Sequence, residues 1–157
     1  MESHIHLSEL LAKPGDGDVY LIGERQGQVN IKIDRRCKGV RSMSLITEDI
    51  KPGDRIPVHK HGAEDELTYI EGGSGILTFG DSDIRVSPAY MALVPLGVWH
   101  GLRNDGDEIL TVVVAYTPAG FEDYFRAIGV RPGEPWKGLT HADWVRINSD
   151  FNVIYRD

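Results

Sequence analysis

The segment His59-Lys60-His61-Gly62-Ala63-Glu64-Asp65-Glu66 sets two histidines one residue apart and follows them with three consecutive acids. A third histidine, His100, comes just after a Pro95-x-Gly97 turn. In an extended strand alternate side chains share a face, so His59 and His61 point one way and Lys60 the other. If the shared face is the interior of a barrel, two neutral imidazoles lie side by side, shielded from water, which suits a transition metal. A carboxylate at the start of the next strand and the imidazole of His100 would complete three nitrogens and one oxygen. Such a set leaves positions open for substrate, water or dioxygen.

The elements that must position these side chains are short strands. Val19–Ile33 reads as two strands around a turn, with Val29, Ile31 and Ile33 alternating with polar residues. Turn signals recur at Pro52-Gly53-Asp54, Gly72-Gly73, Gly80-Asp81, Pro95-Leu96-Gly97 and Asp105-Gly106. Turns about 8–12 residues apart, with few helical periods between, are the signature of an all-β sandwich or barrel. The C-terminal part differs. Phe121, Tyr124, Phe125 and Ile128 recur at helical spacing before Gly129. Thr140 with Asp143 forms a weak capping box, with Trp144 and Ile147 on one side of the helix it would open. One domain is expected over residues 1–157, with a barrel core at about 18–118 and a helical tail at about 119–157.

The two histidine segments resemble the paired motifs of the cupin family. Gly53, His59-x-His61, Glu66 and Gly73 match the first; Pro95-x-Gly97, His100 and Asn104 match the second. Ala89 stands where the second motif usually opens with glycine. The resemblance implies a double-stranded β-helix (jelly-roll) barrel, often a homodimer, with one divalent metal (Fe, Mn, Ni or Zn) held by His59, His61, Glu66 and His100. Glu66 would be the ligand that also carries catalysis. Spacing and strand phase favour it over Glu64, in the turn, and Asp65, facing outward. The segment Tyr116–Phe125 is similar to the tail of small quercetin-dioxygenase-like cupins, which points to a dioxygenase. A lyase, isomerase or cyclase using the metal as Lewis acid, and a non-enzymatic ligand-binding or sensor protein, are the alternatives.

Other features limit the reading. The chain has 157 residues and a net charge of −7, with no run of Lys or Arg, which argues against nucleic acid or an anionic membrane as partner. No apolar run approaches a membrane span, and the opening residues lack a signal-peptide pattern. Cys37 is the only cysteine, which fits a cytoplasmic location. Lys60 and Arg103 fall on the outward phase, Arg55 in a turn, and no separate general acid or base stands out. The interior is thus expected to be apolar beyond the metal, suited to a small, largely uncharged enolic or phenolic substrate. Trp99 should point away from the metal. His4 and His6 read as a frayed terminus, and His141 as an exposed residue of a helix's first turn.

Overall fold

The computed structural model describes residues 7–25, 27–37, 42–136 and 138–156; His4 and His6 lie outside them. The strands are β1 (Asp18–Ile22), β2 (Gly27–Ile33), β3 (Ser44–Ile50), β4 (Arg55–His61), β5 (Asp65–Gly72) and β6 (Gly75–Phe79). They continue as β7 (Ser82–Val86), β8 (Met91–Val94), β9 (His100–Arg103), β10 (Leu110–Thr117), β11 (Gly129–Val130) and β12 (Val153–Tyr155). Helices α1 (Glu122–Ile128) and α2 (His141–Asp150) follow the barrel strands.

Alternation drives the strands into two facing layers. In β10, Leu110, Val112, Val114 and Tyr116 are buried; across the ladder Val114 pairs with Ile46 and Leu110 with Ile50 of β3. Each such aliphatic side chain contributes roughly 1.5–3 kcal/mol by leaving water. One sheet has the order β11-β1-β2-β3-β10-β5-β8, the other β12-β4-β9-β6-β7, and every strand pair is antiparallel. The two inner faces enclose a core that includes Val29, Ile46, Ile70, Val112 and Leu102.

The tail is helical as expected, and its four spaced residues Phe121, Tyr124, Phe125 and Ile128 are all buried in that core. Thr140 and Asp143 form a reciprocal capping box: the Asp143 N–H donates to Thr140 Oγ1 (3.2 Å) and the Thr140 N–H to Asp143 Oδ2 (3.0 Å). His141 is exposed in the first turn of α2. The tail also carries two short strands that the helical pattern did not suggest. Gly129 ends α1 in extended backbone rather than a left-handed turn, because it enters β11 and pairs with Ile22 of β1. A Cβ there would lie 2.8 Å from Ile22 Cδ1 and from the Phe125 carbonyl, so close approach is what requires glycine. The second strand, β12, pairs with β4, setting Tyr155 opposite His59 and Val153 opposite His61.

Candidate metal centre

Three of the four candidate ligands come from one sheet and the fourth from the other. His59 and His61 occupy alternate inward positions of β4, and β9 sets His100 directly across from His59. A register shift in the β4–β9 ladder separates His59 from Ile56. Lys60 projects outward, its Nζ 4.6 Å from the centroid of the Trp99 ring, with the Arg156 guanidinium 4.8 Å from that ring. Trp99 thus points away from the histidines, as its phase predicts. Glu66 comes from β5, which begins one residue earlier than expected, at Asp65. Asp65 is exposed and accepts a hydrogen bond from the Leu96 N–H at 2.7 Å, tying down the turn that delivers His100. Glu64 is buried near the site, and burial raises its carboxyl pKa.

His59, His61, Glu66 and His100 are all buried, and one potential ligand atom from each lies within 4.8 Å of the others. The cluster is compatible with a single metal ion. The His59 Nδ1–H donates to the Pro57 carbonyl (2.8 Å) and the His100 Nδ1–H to the Val98 carbonyl (3.0 Å). These bonds hold a proton on each Nδ1, which leaves Nε2 as the ligand atom of each ring. Glu66 Oε2 lies 3.1 Å from Nε2 of both His61 and His100, while the Thr68 hydroxyl donates to Oε1 at 2.6 Å. Burial opposes ionisation of Glu66, but its bonds to His100 and His61 outweigh that and hold its pKa well below the usual range. Burial, reinforced by His100 and His61, pushes His59 down to about 3, so its imidazole is neutral. His100 is raised: burial works against it, and the Glu66 contact prevails. The donor set and the fixed tautomers suit a first-row divalent metal.

His59, Glu66 and His100 open onto a cavity of about 120 Å³. Val112, Val114, Leu77 and Leu102 give it an apolar wall, and Phe121 at the head of the tail packs edge-on to His61 at 4.4 Å between ring centroids. The interior is less apolar than the sequence led us to expect. Glu48, Arg55, Tyr124 and Tyr155 also line it. Arg55 opens β4 instead of sitting in a turn, pairs with Arg103 and is exposed. The Tyr155 ring lies 5.6 Å from His59, and its hydroxyl is 2.8 Å from that of Tyr124, which donates to Asn148 Oδ1 at 3.2 Å. Glu48 was legible in principle: with Ile46 and Ile50 inward in β3, the intervening even position must be inward too. Met91 is exposed, and Phe79 lines a second groove with Ile84 and Tyr90. Ala89 adopts φ 74°, the left-handed backbone that glycine accepts more readily, so the turn keeps its conformation despite the substitution.

Residues 46–116 match the family model described as a cupin domain. The barrel has the cupin fold. Over 87 residues the chain is 29% identical to "Uncharacterized protein MJ1618" of Methanocaldococcus jannaschii, a match covering 55% of this chain and 69% of that one. Among solved structures it superposes on a sugar phosphate isomerase from a cupin superfamily of Silicibacter pomeroyi with a TM-score of 0.60 at 16% identity, over 69% of this chain and 76% of that one. A predicted oxalate decarboxylase of Thermotoga maritima gives a TM-score of 0.59 at 18% identity, over 69% of this chain and 98% of that one. At such identities the two structures share the cupin fold, and the chemistry of this chain has to be read from its own site.

Proposed function

We propose that this protein is a metal-dependent enzyme whose reaction moves a proton on a small, oxygen-bearing substrate, a lyase, isomerase or cyclase in reaction class. The observation that carries the reading is the buried His59–His61–Glu66–His100 cluster, of which His59, Glu66 and His100 line a cavity of about 120 Å³. A divalent ion bound there supplies a Lewis acid for a substrate oxygen. The protein's own groups do the rest. The backbone carbonyls of Pro57 and Val98 orient two imidazoles, and Thr68 orients Glu66. The aliphatic wall excludes water, and the small volume selects a compact enolic, phenolic or hydroxycarbonyl group. Glu66 is engaged by two histidines and Thr68, which commits it to the ligand set. Proton transfer therefore falls to another residue, and Glu48 and Tyr155 line the same cavity.

The dioxygenase expected from the sequence is the second reading. What favours it is the apolar wall of Val112, Val114, Leu77 and Leu102, which would shield a reactive intermediate from bulk water. The test begins with metal analysis of protein purified without added metal. Turnover of enolic, phenolic and hydroxycarbonyl compounds is then measured with Fe(II), Mn(II), Ni(II) and Zn(II) in turn, with and without dioxygen. Anaerobic turnover, with Zn(II) among the active metals, supports the proton-transfer reading. Activity that vanishes without dioxygen selects the dioxygenase, and failure to hold any metal rejects both.

A further inference from the structure

Glu48 lies in the middle of β3, paired with Val112 of β10 on one side and Val29 of β2 on the other. Its neighbours on the same face, Ile46 and Ile50, are buried, so its side chain enters the barrel among aliphatic groups. Glu48 itself keeps partial solvent access. The reason is its place: it lines both the cavity that holds the candidate ligands and an outer groove formed with Gly23, Arg25, Asp49 and Asp54. A carboxyl at that junction can meet a molecule inside and water outside by a small rotation of one side chain.

We infer that Glu48 is the acid that passes a proton between the bound substrate and the outer groove, an inference that rests on the proton-transfer reading above. In the protonating direction, the O–H bond of the neutral carboxyl breaks and a C–H bond forms at the carbanionic carbon of an enolate. The electron pair comes from the enolate double bond, and the carboxylate then takes a proton from water in the groove. In the reverse direction the carboxylate removes the same proton. No electron leaves or enters the system. Glu66, Tyr116 and Tyr155 face Glu48 from inside, and Asp49, Asp54, Arg25 and Arg55 border it toward the groove. Burial, then Glu66, Asp54 and Asp49, push the Glu48 carboxyl up to about 8, so it holds its proton at neutral pH. That matches the operating range of an acid–base catalyst.

The test uses the intact chain loaded with Zn(II), and hydroxyacetone as probe: a neutral molecule that offers two oxygens to a metal and has exchangeable carbon-bound protons. Proton NMR in deuterated buffer follows their exchange. Wild type should exchange them faster than free Zn(II). Glu48→Gln should keep one equivalent of metal and lose exchange by about 100-fold or more, and Glu48→Asp should recover part of it. A second measurement needs no turnover. The infrared difference between metal-free wild type and Glu48→Gln at neutral pH should contain the carbonyl stretch of a protonated carboxylic acid, and raising the pH to 10 should remove it. Wild-type exchange that survives in Glu48→Gln, or an ionised carboxylate at neutral pH, overturns the role of Glu48 and leaves the metal-enzyme reading intact. A metal-loaded wild type without exchange overturns the proton-transfer reading and the role of Glu48 with it.

Discussion

Arg126 and the histidine–glutamate cluster are both withdrawn from water, yet their surroundings have little in common. The Arg126 side chain retains 10% exposure and touches three carboxylates: Asp34, Asp123 at 2.8 Å and Asp18 at 3.2 Å. These acids come from the start of β1, the turn after β2, and α1, so one guanidinium fastens the tail helix to the sheet. Burial disfavours its charge, and the three acids, Asp34 foremost, more than restore it. At the candidate metal centre two imidazoles, His61 and His100, share the Glu66 carboxylate, and one ligand atom from each of the four residues lies within 4.8 Å of the others. In one cluster opposite charges complete each other; in the other, donors are collected and left for a cation. A buried polar cluster that does not close on itself is therefore the better guide to function.

This contrast breaks most visibly by deleting the donors. Replacing His59 and His61 together with Ala should abolish stoichiometric metal, while the Arg126 cluster holds the tail in place. A double variant that retains one equivalent through dialysis would show that the converging nitrogens are not the site. Acid should separate the clusters almost as sharply. The imidazoles must be neutral to ligate, and the Glu66 contact raises the pKa of His100. Metal should leave progressively as pH falls below about 6.5. Asp123 and Asp18 have lowered pKa values: burial opposes the shift at Asp123, and Arg126 and Arg35 prevail, whereas Arg131 leads at Asp18. A lowered carboxylate stabilises above its unfolded value of about 3.9 and loses that contribution as pH falls through the folded one. Between about pH 6 and pH 4 the protein should thus be metal-free and folded, as metal analysis and circular dichroism on the same samples would reveal.

Arg126→Met should cost about 3 kcal/mol of metal-free stability by urea denaturation, because it leaves Asp34 and Asp123 partly buried without their partner. Metal stoichiometry should not change. A cost below about 0.5 kcal/mol would place the cluster with ordinary surface ion pairs. The finest cut is Thr68→Val, which removes only the hydroxyl that orients Glu66. Metal affinity should fall roughly 10- to 100-fold in a chelator competition. Unaltered affinity would mean that the two histidines alone orient Glu66.

The metal cluster was legible in the sequence because its information is local: a period of two fixes His59 and His61, and turn signals bracket Glu66 and His100. Glu48 was harder to read because Thr47-Glu48-Asp49 looks like a solvated stretch until Ile46 and Ile50 are known to face inward. Arg126 gives no sequence signal at all, since its partners Asp18 and Asp34 lie about a hundred residues away in the chain. The strand β12 is only three residues long, too short for alternation to register against the helix before it.

That short strand bears on how the molecule survives its own synthesis. Strand β4, which carries His59 and His61, has β9 on one flank and β12 on the other, and β12 is made roughly 90 residues after β4. At a translation rate of about 5–20 residues per second, the β4 backbone presents an open edge for several seconds, with its polar groups free to template another chain. The strand that carries His59 and His61 is thus a sticky surface of the nascent protein. A lesion that delays or removes Val153–Tyr155 should appear first as aggregation during expression.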